Sequence, residues 1–245
     1  MRPLTSVELL KVWEDSIHFT VAGKSLHLLG VACSNTDLNN MADLSIGERD
    51  ARLLQLREWM FGSRLMNKMN CPRCAEPVEW ETEVGDIRLQ APQEGTAPKA
   101  FDLAIDDFRI RFRLPNSHDL ARVTSDPSYR SDPRKLLSSC ILTVYNDQSD
   151  LAPQDLPEKV WDALEEQMEK QDPQADISMA ISCPVCAHQW EANFDIAGYL
   201  WMEIDNWARH IMQEVYLLAR SFGWSENDIL KMSPRRRQLY IEMLS

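Results

Sequence analysis

Cys71-Pro72-Arg73-Cys74 and Cys183-Pro184-Val185-Cys186 decide how the rest of the chain is read. Each is a C-x-x-C turn, which folds two sulfurs toward one point and lets backbone amides donate hydrogen bonds to thiolates. Two such turns supply the tetrahedral shell of one zinc ion, so Cys71, Cys74, Cys183 and Cys186 are the candidate ligands of a structural zinc. The flanks repeat too: Cys74-Ala75 leads to Trp80-Glu81, and Cys186-Ala187 leads to Trp190-Glu191, as in the two halves of a zinc ribbon. The interval departs from a simple ribbon. Cys74 and Cys183 are 109 positions apart, against roughly 15–20 residues in a compact double C-x-x-C finger. A metal here would staple distant segments and stabilise the fold by restricting the unfolded chain. Four sulfurs leave no coordination position for water, which argues against a catalytic metal. Two separate redox pairs are the other reading of the spacing. His188 is taken as a neighbour of the site, and Cys33 and Cys140 as ordinary buried thiols.

Composition supports the metal reading. Six cysteines in 245 residues, with no apolar signal core in Met1-Arg2-Pro3-Leu4-Thr5-Ser6, point to a cytoplasmic metal protein rather than a secreted disulfide scaffold. No stretch approaches the roughly 20 apolar residues of a membrane span. The formal net charge of -12 repels phosphate backbones and disfavours wholesale nucleic-acid binding. There is no G-x-G-x-x-G, and Gly23-Lys24-Ser25 lacks the first P-loop glycine, since His18 stands in its place. No H-E-x-x-H occurs, and neither His27 nor His118 is followed two residues on by the glutamate of a zinc deaminase. These absences shift the reading from catalysis toward binding or assembly.

Along the chain, Thr5 with Glu8 and Ser45 with Glu48 read as capping boxes. The second opens a helix expected to run from Ile46 to Met69 and deliver the chain directly to Cys71. Val78, Trp80 and Val84 suggest a strand, and the Pro-containing run 91–98 a flexible connection. Phe101 to Leu114 alternates as one half-buried strand, with Phe108, Ile110, Phe112 and Leu114 inward and a row of Arg109, Arg111 and Arg113 outward. Ser125-Asp126-Pro127 and Ser131-Asp132-Pro133 punctuate two short helices, the second near 134–144. Residues 147–176 hold ten acids and two lysines around the stripe Val160, Trp161, Leu164 and Met168, a solvated amphipathic helix or a dock for a basic partner. Asp195 opens the longest helix, Ile196 to Phe222, and Gly223 stops it. Two short helices capped at Ser225 and Ser233 follow.

Several stretches together resemble the phage baseplate hub assembly chaperone-like proteins. They are Ile46-Gly47-Glu48-Arg49-Asp50-Ala51-Arg52-Leu53-Leu54, Leu56-Arg57-Glu58-Trp59, both Cys-Pro-x-Cys turns, and Arg111 to Ser117 with Asp119-Leu120. The tail Phe222-Gly223-Trp224-Ser225-Glu226 through Ser233-Pro234-Arg235-Arg236-Arg237, Tyr240 and Glu242-Met243-Leu244 extends the likeness. It implies a non-enzymatic part in building the baseplate or hub of a phage-like contractile tail or injection particle. The partners would be other baseplate or hub proteins, and no catalytic residues come with the resemblance. Trp224, Arg235, Arg236, Arg237 and Tyr240 are the candidate partner-binding residues of the basic, apolar tail; the plainer expectation is that the tail packs on its own long helix. The expected fold is α+β, mainly helical, built around a four-cysteine ribbon whose knuckles flank a long insertion. The expected division is an N-terminal helical region (1–70), ribbon halves (71–90 and 177–194), an inserted strand and helix region with the acidic helix (91–176), and a C-terminal long helix with a basic helical tail (195–245). The alternative function is a zinc-ribbon adaptor for nucleic acid or the transcription machinery, resting on the ribbon, the arginine row and the C-terminal arginines.

Overall fold

The computed structural model describes residues 1–33, 38–89, 100–146 and 151–244. The connection expected at 91–98 and the acids Asp147 and Asp150 lie outside the described residues. In chain order the elements are α1 (Ser6–Asp15), α2 (Val21–Ala32), α3 (Leu38–Ala42), α4 (Ile46–Phe61), β1 (Arg64–Asn70), β2 (Pro77–Glu83), α5 (Val84–Ile87), β3 (Phe101–Ile105) and β4 (Phe108–Phe112). There follow α6 (Ser117–Ser125), α7 (Pro127–Ser131), α8 (Pro133–Cys140), β5 (Ile141–Asn146), α9 (Glu158–Gln171), β6 (Ser178–Ser182), β7 (Gln189–Asn193), α10 (Ile196–Phe222), α11 (Glu226–Leu230) and α12 (Pro234–Glu242). The protein is thus a mixed helix and sheet structure in which helices predominate, and its contacts divide it into two units.

One unit joins Met1–Leu38 to Ile196–Ser245 and is helical among its described residues. Thr5 and Glu8 form the capping box of α1 as expected, and Thr20 caps α2. In α10, Leu200, Ile204, Ala208, Ile211 and Leu218 recur on one buried stripe. Leu10 of α1 and Leu230 of α11 join Ala208 and Ile211 in a core against which Trp13, Trp207 and Val215 pack. The Trp13 indole N–H donates to Asp205 at 2.9 Å, so a half-buried polar atom is satisfied. Gly223, at φ +70°, ends α10 where the sequence placed the stop, and Ser225 and Ser233 cap α11 and α12.

The other unit, Asn39–Asp195, holds every strand among the described residues. β1 and β2 form one antiparallel hairpin, β6 and β7 another, and β3-β4-β5 an antiparallel sheet. α9 lays Val160, Trp161, Leu164 and Met168 against Ile110, Phe112 and Val144 of that sheet, as the apolar stripe of the acidic stretch predicts. Three expectations fail here. The helix expected to reach Met69 ends at Phe61, because Gly62 takes φ +92° and its N–H closes on the Glu58 carbonyl at 3.0 Å. Arg64–Asn70 is instead a strand paired with Pro77–Glu83, burying Leu65 and Asn67. The strand expected over 101–114 is a hairpin: Asp106, at φ +46°, starts the two-residue turn that pairs Ile105 with Phe108. The helix expected near 134–144 stops at Cys140, and Ile141–Asn146 adds a strand beside β4.

Candidate metal centre

Both C-x-x-C motifs are the turns of hairpins, the first between β1 and β2 and the second between β6 and β7. The two turns are built alike. In the first, the Ala75 N–H donates to the Cys71 carbonyl at 2.9 Å and the Cys71 N–H donates to the Glu76 carbonyl at 2.8 Å. In the second, the Ala187 N–H reaches the Cys183 carbonyl at 3.0 Å and the Cys183 N–H reaches the His188 carbonyl at 2.9 Å. The residue after each second cysteine is left-handed, Ala75 at φ +62° and Ala187 at φ +56°. That reversal sends the chain back along the partner strand while both sulfurs stay on the inside of the turn.

The hairpins meet through a small core of Val78, Ile181 and Ala192 with Cys71 and Cys183, flanked by Trp80, Met179 and Trp190. The Thr82 hydroxyl donates to the Met179 sulfur at 3.7 Å, a second contact between them. All four sulfurs lie within 4.8 Å of one another, with Cys71 to Cys186 at 3.7 Å and Cys74 to Cys183 at 3.6 Å. A tetrahedron with metal–sulfur bonds of about 2.3 Å has edges of about 3.8 Å. These edges therefore suit a four-coordinate ion of the zinc type. Among the described residues this is the one group of three or more Cys, His, Asp or Glu gathered closely enough to hold a metal. Cys71 and Cys183 are buried, Cys74 is exposed and Cys186 half-buried, so one edge of the cluster faces water.

Burial opposes ionisation of Cys71, but N–H donation from Cys74 and Arg73 together with the neighbouring thiols brings it down to about 7. The Glu76 N–H favours the Cys74 thiolate, yet burial and the three other cysteines outweigh it and push Cys74 up to about 12. Ionising Cys74 beside the other cysteines therefore calls for a cation to balance the charge. The Trp80 and Trp190 indole N–H groups are buried beside this core without an acceptor. His188 stacks on Trp190 with ring centres 6.0 Å apart, in keeping with its reading as a neighbour. Cys33 and Cys140 are buried, as expected of plain thiols.

The tail residues are placed differently from one another. Arg235 and Arg236 are exposed and Trp224 and Tyr240 half-buried. Arg237, counted with them as partner-binding, is 2% exposed: its Nε donates to Glu214 at 2.7 Å and its Nη1 to the Met232 carbonyl at 2.7 Å. It anchors α12 on α10 and offers nothing to a partner. Arg113 likewise leaves the outer arginine row, because it turns inward to hold Asp119 through bonds of 2.6 and 2.9 Å.

Sequence reasoning also missed a buried charged cluster at the start of α4. Arg49 pairs with Asp50 at 2.7 Å, and the Gly47 N–H donates to Asp172 at 2.9 Å. The Ile46 N–H reaches the Pro115 carbonyl at 3.1 Å, and Ser45 forms a β-bridge with Asn116. Two of the stretches that carried the resemblance, Ile46–Leu54 and Arg111–Leu120, thus touch in space. A carboxylate beside the first residues of a helix was the available signal, but the partner Asp172 is 125 positions away.

Fold and site together define a mixed helix and sheet protein in which four cysteines join two hairpins distant in sequence. The chain belongs to the family described as T4 bacteriophage base plate protein, whose model matches residues 27–199. The match spans both knuckles and the segments around Gly47 and Asp119; the tail beyond Tyr199 lies outside it. No curated protein and no solved structure matches the chain. No helix among the described residues is long and apolar enough to cross a membrane.

Proposed function

We propose that this protein is a non-enzymatic assembly factor or structural component of the baseplate or hub of a phage-like contractile tail or injection system, acting by protein–protein recognition. The family match over 27–199 carries the reading. The candidate centre supports it, since four thiolates so gathered would hold a metal with no position left for substrate or water. Cys71, Cys74, Cys183 and Cys186 would bind one zinc, which when bound supplies charge balance and a cross-link between the hairpins.

The reading as a zinc-ribbon adaptor for nucleic acid has less support, because Arg113 and Arg237 are committed to Asp119 and Glu214. Two measurements test the proposal. Tagged protein expressed with its tail gene cluster should capture hub or baseplate subunits, or appear in purified particles by mass spectrometry; absence from both refutes it. Elemental analysis should find one zinc per chain with the four knuckle thiols protected from alkylation, and protein purified without metal but with a normal fold refutes the zinc assignment.

A further inference from the structure

We infer that the outward stripe of α12, continued by the end of α10, docks an acidic amphipathic helix of a partner protein. The inference rests on the assembly reading above and narrows its partner chemistry. Arg235, Arg236, Leu239, Tyr240 and Met243 recur at helical steps of three and four and so share one side of the helix. Leu239 is 48% exposed and Met243 72%. The stripe continues into three rings: Trp224 meets Tyr240 edge-on at 4.8 Å, and Phe222 stacks on Trp224 at 4.5 Å. Aromatic, methionine and arginine side chains are the types that carry most binding energy at interfaces.

Charge complementarity selects the occupant. Arg220, Lys231, Arg235 and Arg236 are exposed around this apolar centre, and among the described residues none of them forms an ion pair. Elsewhere on this acidic chain exposed cations commonly have carboxylates, as in Arg64 with Glu81, Lys68 with Glu79 and Lys170 with Glu166. Arg235 and Arg236 also occupy the first turn of α12, where the helix dipole disfavours cations. Carboxylates from a partner relieve that repulsion. The rings, Leu239 and Met243 call for apolar side chains at matching spacing, which an amphipathic helix presents and a bare polyanion does not.

A fluorescent helical peptide of roughly 18 Glu and Leu residues, with leucines at i, i+3, i+4 and i+7, is titrated against the full chain by anisotropy. Comparison probes are the same residues scrambled out of helical spacing, a Lys and Leu counterpart and a single-stranded oligonucleotide. The Glu/Leu helix should bind, and Arg235→Glu with Arg236→Glu, or Leu239→Ala with Met243→Ala, should weaken it about ten-fold or more. Far-ultraviolet circular dichroism confirms that these surface variants stay folded. Equal binding of the scrambled peptide, preference for the oligonucleotide, or unchanged affinity in the variants overturns the proposal. In particles, wild-type incorporation with exclusion of the charge-reversed variant supports it. Equal incorporation of both removes the docking surface and leaves the assembly role standing; absence of wild type both from particles and from the capture of baseplate subunits refutes the assembly role, while the peptide titration still decides the surface.

Discussion

Ala75 and Ala187 hold backbone angles that side chains with a Cβ adopt at a cost of about 1–2 kcal/mol. Glycine removes that cost but loses more freedom on folding, by about 0.5–1 kcal/mol. Ala75→Gly and Ala187→Gly should therefore each leave stability unchanged or raise it by up to about 1.5 kcal/mol, with metal content intact, whereas Ala75→Val should destabilise; urea unfolding of the three variants measures this. Asp50 gives a pH signature. Burial pushes its carboxyl up to about 6 despite Arg49 beside it, against about 3.9 in an unfolded chain. The folded form holds the proton more tightly, so this group's contribution is fully present below about pH 4 and lost as pH rises through about 6. The urea midpoint of wild type minus that of Asp50→Asn should fall across that window, and a flat difference contradicts the assignment. Asp119 acts in the opposite sense. Burial raises it, but Arg113, the Asn116 N–H and Arg122 outweigh burial and hold it below the usual carboxylate range, so its contribution is lost as pH falls. The cysteines could be read from sequence because C-x-x-C chemistry is local. Asp50 could not, because a charged run at a helix start normally faces water.

At the scale of elements, two helix ends are fixed by single residues. A Cβ on Gly47 would run into the Asp172 carboxylate and lie 2.8 Å from the Ala175 backbone nitrogen. Gly47→Ala should cost about 1–3 kcal/mol by forcing α4 away from the turn after α9, while Gly85→Ala, with nothing within 4 Å, should be neutral or slightly stabilising. Thermal unfolding of the pair tests this. Arg237→Ala should cost about 3 kcal/mol, because it takes the guanidinium from the buried Glu214 and leaves it only the exposed His210 at 3.2 Å. Arg237→Met with Glu214→Leu should recover much of the loss, and a double variant no more stable than the single one contradicts the account. Capping and apolar periodicity made α1, α9, α10, α11 and α12 legible. β1 was not: Arg64-Leu-Met-Asn-Lys-Met-Asn70 consists largely of good helix formers. Only the pairing of Leu65 with Thr82 and Met69 with Val78 across the knuckle makes it a strand. The turn at Asp106-Asp107 did leave a mark, since the inward positions change phase across it, from Phe101, Leu103 and Ile105 to Phe108, Ile110 and Phe112; reading only the second set as the inward face hid the break.

In the whole molecule, the core between the hairpins is separate from the core of the insertion, where α9 covers β3-β4-β5. Metal removal should therefore act unevenly. Hydrogen exchange in excess chelator should accelerate at Val78, Ile181 and Ala192 and change little at Ile110, Val144 and Leu164; a uniform loss of protection would show one cooperative core. The repeated knuckle flanks made the grouping of the four cysteines legible across a long interval. The rejoining of Met1–Leu38 with Ile196–Ser245 left no local mark, since it rests on contacts such as Trp13 with Asp205, 192 positions apart. The duplicated knuckles also set an order of events on the ribosome. At about 5–20 residues per second, the second cysteine pair follows the first, 109 positions earlier, by roughly 5–20 seconds. Through that interval each nascent chain exposes a single cysteine pair, half of the proposed metal shell, which could share an ion with the pair of a neighbouring chain on the same messenger. If the site takes up zinc as proposed, slow translation would favour a bridge between copies over closure within one chain.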